Sequence, residues 1–353
     1  AGSADAGGLT GRNLIINGSK VIDQRNSGSS VSVTAGTTKN LADRWKADIA
    51  GGVNGVFSAQ QQTSVVPTGF QYATKLTVTT AHTTAGTAHY YRYIYAGIEG
   101  YDTNQLELGT SNAKTVTISF YVRSSVTGTY CLGLQNHAFN RSYAAEYSIN
   151  TADTWERKEV TVELDQTGTW ETTNSRGLVL FWDLGTGSSF DMTADTWAAT
   201  NTWKTSNQTA WIENASATFY ITGVQLEVGE QATPFEHRSY GDTLRRCQRY
   251  CFQSETPTAY ALHGLGQVFD SDSSDIVVHF PVTMRAKPSF TFSNLAIFVG
   301  STGKAITSVG DAGSTPNASF LRTTYSAAFS VGEAAVMLNN NNTSGYARFD
   351  SEL

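Results

Sequence analysis

Residues 115–123 read Thr115-Val116-Thr117-Ile118-Ser119-Phe120-Tyr121-Val122-Arg123, and their parity decides the fold class. Val116, Ile118, Phe120 and Val122 alternate with polar or amphipathic neighbours, the period of two that a half-buried strand requires. The same alternation recurs at 75–79, at 91–95 and at 158–164, where Val160, Val162 and Leu164 align. Residues 177–184 (GLVLFWDL) are continuously apolar instead, which predicts a central strand covered on both faces. Within 219–228 the parity changes: Phe219 and Ile221 share one face, whereas Val224, Leu226 and Val228 share the other. A β-bulge at Thr222-Gly223 restores one apolar face, because glycine tolerates the backbone a bulge needs. Beyond a helix at 239–253 (SYGDTLRRCQRYCFQ), short alternating stretches resume at 275–284 and continue to 346–349. The reading is all-β.

Composition agrees. Charged residues make up 15% of the 353, Thr outnumbers the 24 Lys and Arg combined, and aromatics reach 11% with 32 Gly. Such a surface is built of hydroxyls and amides, with pleated strands joined by tight turns. The length exceeds what one core usually supports, so two domains are expected: a Gly-rich linker at 1–12, a large β-domain at 13–238, a connector helix at 239–253 and a smaller β-sandwich at 254–353. A net charge of −6 with a pI near 5.5 argues against nucleic acid as a partner, since that affinity comes from clustered Lys and Arg. No run approaches the roughly 20 apolar residues of a membrane span, so no membrane insertion is expected. Three cysteines, Cys131, Cys247 and Cys251, form no disulfide framework and point to folding in a reducing compartment.

Catalytic patterns are sparse. Gly300-Ser-Thr-Gly303-Lys304 has the wrong spacing for a phosphate loop, and the six histidines are scattered. Asp183, Asp191 and Asp195 lie near several tryptophans, where paired carboxylates can hydrolyse a sugar linkage, but Asp in Gly/Ser/Thr surroundings also serves turns and caps. Asp270, Asp272 and Asp275 supply clustered oxygens without the Gly and Glu of a calcium loop, and they read as a solvated turn before the strand at Asp275 rather than a metal site. Cys247 and Cys251, four apart on the predicted helix, read as small hydrophobes on one face. Residues 151–155 (TADTW) recur at 193–197, a length that fits shared turn chemistry better than a solenoid repeat. Five of the seven tryptophans, Trp170, Trp182, Trp197, Trp203 and Trp211, fall within about forty residues. Indole faces stack on sugar rings, so these five are candidate glycan ligands; the alternative is core or subunit packing.

Several strings resemble a family of marine-phage tail-fibre and virion appendage proteins. They include 13–19 (NLIINGS), 43–45 (DRW), 219–229 (FYITGVQLEVG), 232–241 (ATPFEHRSYG) and 280–288 (FPVTMRAKP). The first module is also similar to carbohydrate-binding-module jelly rolls, in which an opening Asn-Leu-x-x-Asn-Gly segment lies beside the closing strand. The resemblance implies a jelly-roll β-sandwich, a connector helix and a second, smaller β-sandwich. It further implies a non-enzymatic virion protein, folded in the host cytoplasm, that binds host surface polysaccharide or lipopolysaccharide. Other virion tail proteins and a homotrimer are the implied partners. Modules of this kind often hold a structural calcium through an Asp of the closing strand; Gly223 stands there, and no cofactor is assigned. A purely structural fibre or adaptor segment and a glycan depolymerase are the rival readings.

Overall fold

A computed structural model of the chain describes residues 11–255 and 258–353, so the predicted linker falls, up to residue 10, outside the described residues. The chain divides between Thr243 and Leu244 into two compact units. In the first, twelve strands follow in order: β1 (Val31–Val33), β2 (Thr37–Asn40), β3 (Trp45–Ala50), β4 (Val56–Gln62), β5 (Ala73–Thr80), β6 (Tyr90–Glu99), β7 (Thr115–Ser124), β8 (Gly128–Gln135), β9 (Ser142–Ile149), β10 (Glu156–Glu163), β11 (Arg176–Asp183) and β12 (Thr218–Val228). They form two six-stranded antiparallel sheets, β1-β4-β5-β12-β7-β10 and β2-β3-β6-β11-β8-β9. The layers enclose one core, a jelly-roll β-sandwich as the alternating strands require.

Strand β7 meets the reading of its parity: Val116, Ile118, Phe120 and Val122 are fully buried in that core. Strand β11 lies between β6 and β8 and is covered twice. Leu178, Leu180 and Trp182 enter the main core, while Val179 and Phe181 pack on the other side against Trp203. The bulge is present as well, since the β12–β7 register slips between Thr222 and Gln225 and Gly223 has φ +60°. It turns Phe219, Ile221, Val224 and Leu226 to one buried face, leaving Val228 exposed. The opening segment docks along this strand, with Leu14 N donating to Leu226 O (2.9 Å) and Val224 N to Gly18 O (3.1 Å). Asn13 Oδ1 accepts from both Ile15 N and Leu226 N.

The helix spans Tyr240–Gln248, shorter than predicted. Tyr250 N donates to Cys247 O (2.9 Å), and Cys251 opens the strand β13 (Cys251–Glu255). Cys247 and Cys251 therefore do not share a helix face. Pairing of Cys251 with Asp350, a hundred positions away, overrides the local helical pattern.

The second unit continues with β14 (Leu262–Asp270), β15 (Ser273–His279), β16 (Ser289–Ser293), β17 (Leu295–Val299), β18 (Thr302–Ala305), β19 (Ser308–Asp311), β20 (Ala318–Thr324), β21 (Ala334–Asn339) and β22 (Tyr346–Asp350). A three-stranded sheet, β13-β22-β16, faces a seven-stranded one, β18-β17-β21-β14-β15-β20-β19. Phe252, Phe349 and Phe290 stand in one register row of the smaller sheet and pack over Ile276, Ile297, Leu321 and Met337 of the larger. This is the smaller β-sandwich.

Candidate functional site

Three of the five candidate tryptophans are sealed. Trp182, Trp203 and Trp211 are 0%, 1% and 0% exposed, so their rings serve packing. Trp182 lies 5.6 Å from Trp45 and 5.4 Å from Phe120 in the main core. Trp203 belongs to the segment 184–211, which folds back over the outer face of the β11 sheet; its ring lies 4.3 Å from Phe190 and meets Phe181 edge-on at 5.5 Å. Beneath it the Arg92 guanidinium sits 4.7 Å from the Trp203 ring and forks onto Asp48 at 3.1 and 2.7 Å. Beside it lies a recess of about 280 Å³ lined by Lys46, Asp48, Arg92, Arg176, Phe139 and Phe181 among others.

Trp170 and Trp197 form a separate corner. Their rings meet edge-on at 5.5 Å, and Trp197 also packs on Tyr143 at 5.2 Å. Both indole N–H groups are spent on backbone: Trp170 donates to Thr167 O and Trp197 to Glu163 O. Trp170, 8% exposed, lines a recess of about 320 Å³. The same recess is lined by Asn104, Asn112, Thr110 and Thr172 with the carboxylates Glu107 and Glu171. Lys114 holds Glu107 at 3.0 Å, while Glu171 accepts from Thr173 Oγ1 and keeps one negative charge at the rim. Amides and hydroxyls around an indole offer the donors and acceptors a sugar presents, beside an apolar wall.

The carboxylates of the tryptophan-rich stretch do not converge. Asp183 is buried and accepts from Gly185 N, Thr186 N, Gln208 Nε2 and Trp203 Nε1, so it ties the returning segment to β11. Asp191 pairs with Lys204, and Asp195 accepts from Tyr143 OH at 3.2 Å. Asp275 is forked by Arg322 at 2.8 and 2.9 Å, while Asp270 accepts from Ser271 N within the β14–β15 turn. The two TADTW copies are turns of one kind: Asp153 and Asp195 both take the left-handed conformation, at φ 56° and 55°. Among the described residues, no group of three or more His, Cys, Asp or Glu is placed to hold a metal, and no helix is long and apolar enough to cross a membrane.

Two titratable features escaped sequence reading. His82 and His89 flank the loop between β5 and β6, and their rings meet at 4.4 Å, both nearly buried. His82 Nδ1 shares a hydrogen bond with Tyr91 OH at 2.9 Å. Burial, and secondarily the charge of His82, hold the His89 imidazole below its usual range; Glu213 and Asp183 pull the other way. Lys20 is fully buried with no hydrogen-bond partner for its Nζ, which lies 2.8 Å from the centroid of the Trp45 ring. Burial pushes its amine well below the ordinary lysine range. Cys131, also buried, has its thiol pushed up to about 12 by burial. The paired placement at the ends of β5 and β6 is the one sequence signal for the histidines; nothing local marks Lys20.

No protein-family model and no curated protein sequence matches the chain. Among solved structures, it is similar to a family 4 carbohydrate-binding module, at 14% identity over 61% of this chain and 99% of that one, with a TM-score of 0.30. It is similar to the family 11 carbohydrate-binding module from Clostridium thermocellum in complex with a β-1,3-1,4-mixed-linked tetrasaccharide, at 12% identity over 55% of this chain and 91% of that one, TM-score 0.27. It is also similar to the enzymatically active domain of bacteriophage CBA120 tailspike protein 4, at 10% identity and TM-score 0.31, covering 62% of this chain but spanning only 21% of that one.

Proposed function

We propose that the chain is a non-catalytic glycan-recognition protein of a phage virion appendage, a tail fibre or its like. It engages host surface polysaccharide or lipopolysaccharide, alongside other virion tail proteins and as a homotrimer. The observation that carries the glycan reading is the recess lined by Trp170 together with Asn104, Asn112, Thr110 and Thr172. The phage reading rests on the sequence strings quoted above. A shallow recess of this kind binds weakly alone, and several copies on one particle raise the avidity without new contacts.

Calorimetric titration with purified host polysaccharides tests this. Asn104→Ala with Asn112→Ala, both at exposed positions, is expected to weaken binding about tenfold while leaving the melting temperature in place. A wild-type chain that binds no surface polysaccharide, or a double variant that binds as well as wild type, sinks the reading. One observation favours the structural rival: with Trp182, Trp203 and Trp211 sealed, most of the tryptophan cluster serves packing. Labelling of the intact particle separates the two, at the distal tip for recognition and at a collar or capsid for a structural segment. Release of reducing ends from the polysaccharide is the result that points to the depolymerase.

A further inference from the structure

The two carboxylates that line the Trp170 recess have unlike surroundings. Glu107 takes the left-handed conformation at φ 52°, Thr110 N and Oγ1 both donate to its carbonyl, and Lys114 Nζ holds its carboxylate at 3.0 Å. Glu171 accepts only a long contact from Thr173 Oγ1, at 3.4 Å, and among the described residues no lysine or arginine pairs with it. A Cβ added at Gly100 meets Glu171 O and Thr173 N at 2.7 Å, and Tyr101 N donates to Thr173 O at 2.9 Å. The segment that carries Glu171 is therefore pinned just past the end of β6. Arg141, which packs against Gly168, forks onto Asp165 at 2.6 and 2.7 Å, so that cation is committed as Lys114 is. The side-chain amides of Asn104 and Asn112, by contrast, bond to no other described residue.

We infer that this recess selects its sugar by charge: it takes an uncharged unit, with Glu171 accepting from ring hydroxyls, and excludes units that carry a carboxylate, sulfate or phosphate. The inference rests on the glycan reading of the recess and adds the class of sugar. Hydroxyls on adjacent ring carbons offer two donors to the two oxygens of one carboxylate, and such charge-assisted bonds are shorter and stronger than neutral ones. An acidic sugar brings a like charge against Glu171, and no uncommitted cation answers it. Bringing those two charges together beside the apolar indole costs more than leaving each in open water. The Trp170 ring packs against neutral and acidic sugar rings alike, so the indole supplies affinity without this distinction. Discrimination by repulsion needs a fixed charge that the wrong ligand meets and the right one does not, and Glu171 on its pinned backbone is that charge.

Calorimetric titration of the full chain tests the inference. The probes are the purified host polysaccharides together with pullulan, laminarin and galactomannan, each before and after oxidation of its primary hydroxyls to carboxylates. Physiological salt screens the overall charge of −6 beyond roughly 8 Å, which isolates contacts at the site. The oxidised form of any polymer that binds is expected to bind wild type about tenfold more weakly than its parent. Glu171→Gln keeps the shape, melts like wild type, binds the parent about threefold more weakly and closes most of that gap. Glu230→Gln, at an exposed position two residues beyond β12, retains the wild-type gap. A wild type that binds oxidised and parent polymers equally, or prefers the oxidised form, overturns the inference and leaves the glycan reading standing. A full gap in Glu171→Gln overturns the assignment to that residue. Binding to no polymer at all removes the glycan reading itself, and this inference with it.

Discussion

At the scale of single residues, Lys20 and His89 are ionisable groups that the fold keeps from charge. Lys20 has no hydrogen-bonding partner for its amine, and the Trp45 ring face offers a cation less than water does. Its folded pKa lies below the unfolded value of 10.5, so stability from this site is complete above that pH and falls as pH drops through the gap toward the folded value. Lys20→Met is expected to raise stability at neutral pH by about 1–4 kcal/mol and to flatten the alkaline part of the profile, measured by denaturant titration from neutral to alkaline pH. His89 has the same sign in a different window. Its folded pKa lies below 6.5, so the unfolded chain takes up a proton that the folded chain refuses, and stability declines as pH falls from about 6.5. His89→Phe is expected to lessen the drop in melting temperature between neutral and mildly acidic buffer; an unchanged drop assigns it to other groups.

At the scale of elements, the β12 bulge is the position where one methyl group decides the outcome. A Cβ at residue 223 meets Phe70 Cζ at 2.6 Å and Tyr121 Cδ2 at 2.9 Å, with φ at +60°. Gly223→Ala is therefore expected to cost about 1–3 kcal/mol, read as a lowered denaturation midpoint. This bulge was legible in the sequence because Phe219, Ile221, Val224 and Leu226 fit one apolar face only with a slip between them. Strands β7 and β11 were legible for the same reason, their parity being a local property. The end of the helix was not, because Cys251 joins a strand whose partner residue, Asp350, lies a hundred positions on. Nor was the burial of Trp203, which depends on a segment folding back onto a sheet built from strands far apart in sequence. Aromatic composition marks rings that pack and rings that bind alike, so five candidate tryptophans reduce to the Trp170 and Trp197 corner only in three dimensions.

At the scale of the whole molecule, the low charge density becomes a statement about how contacts respond to salt. The Trp170 recess offers a sugar amides, hydroxyls and an indole rather than a cluster of like charges. Glycan binding is accordingly expected to change less than about twofold between low and high ionic strength, where charge-driven contacts are screened within roughly 10 Å. Titrations repeated at the two salt levels check this, and a steep decline at high salt assigns the contact to a charged surface instead.

The docking of residues 13–19 along β12 has a kinetic consequence. Asn13 and Leu226 are bonded to each other though 213 positions apart, so the ribosome releases the opening segment long before its partner exists. Closure of the first sandwich must wait for nearly its whole length to be synthesised, and a contact of such separation places it among slow-folding topologies. Until then Ile15 and Ile16, buried in the finished protein, have no strand to cover them. The nascent chain thus passes through a long interval in which Ile15 and Ile16 are open to aggregation or to capture by a chaperone.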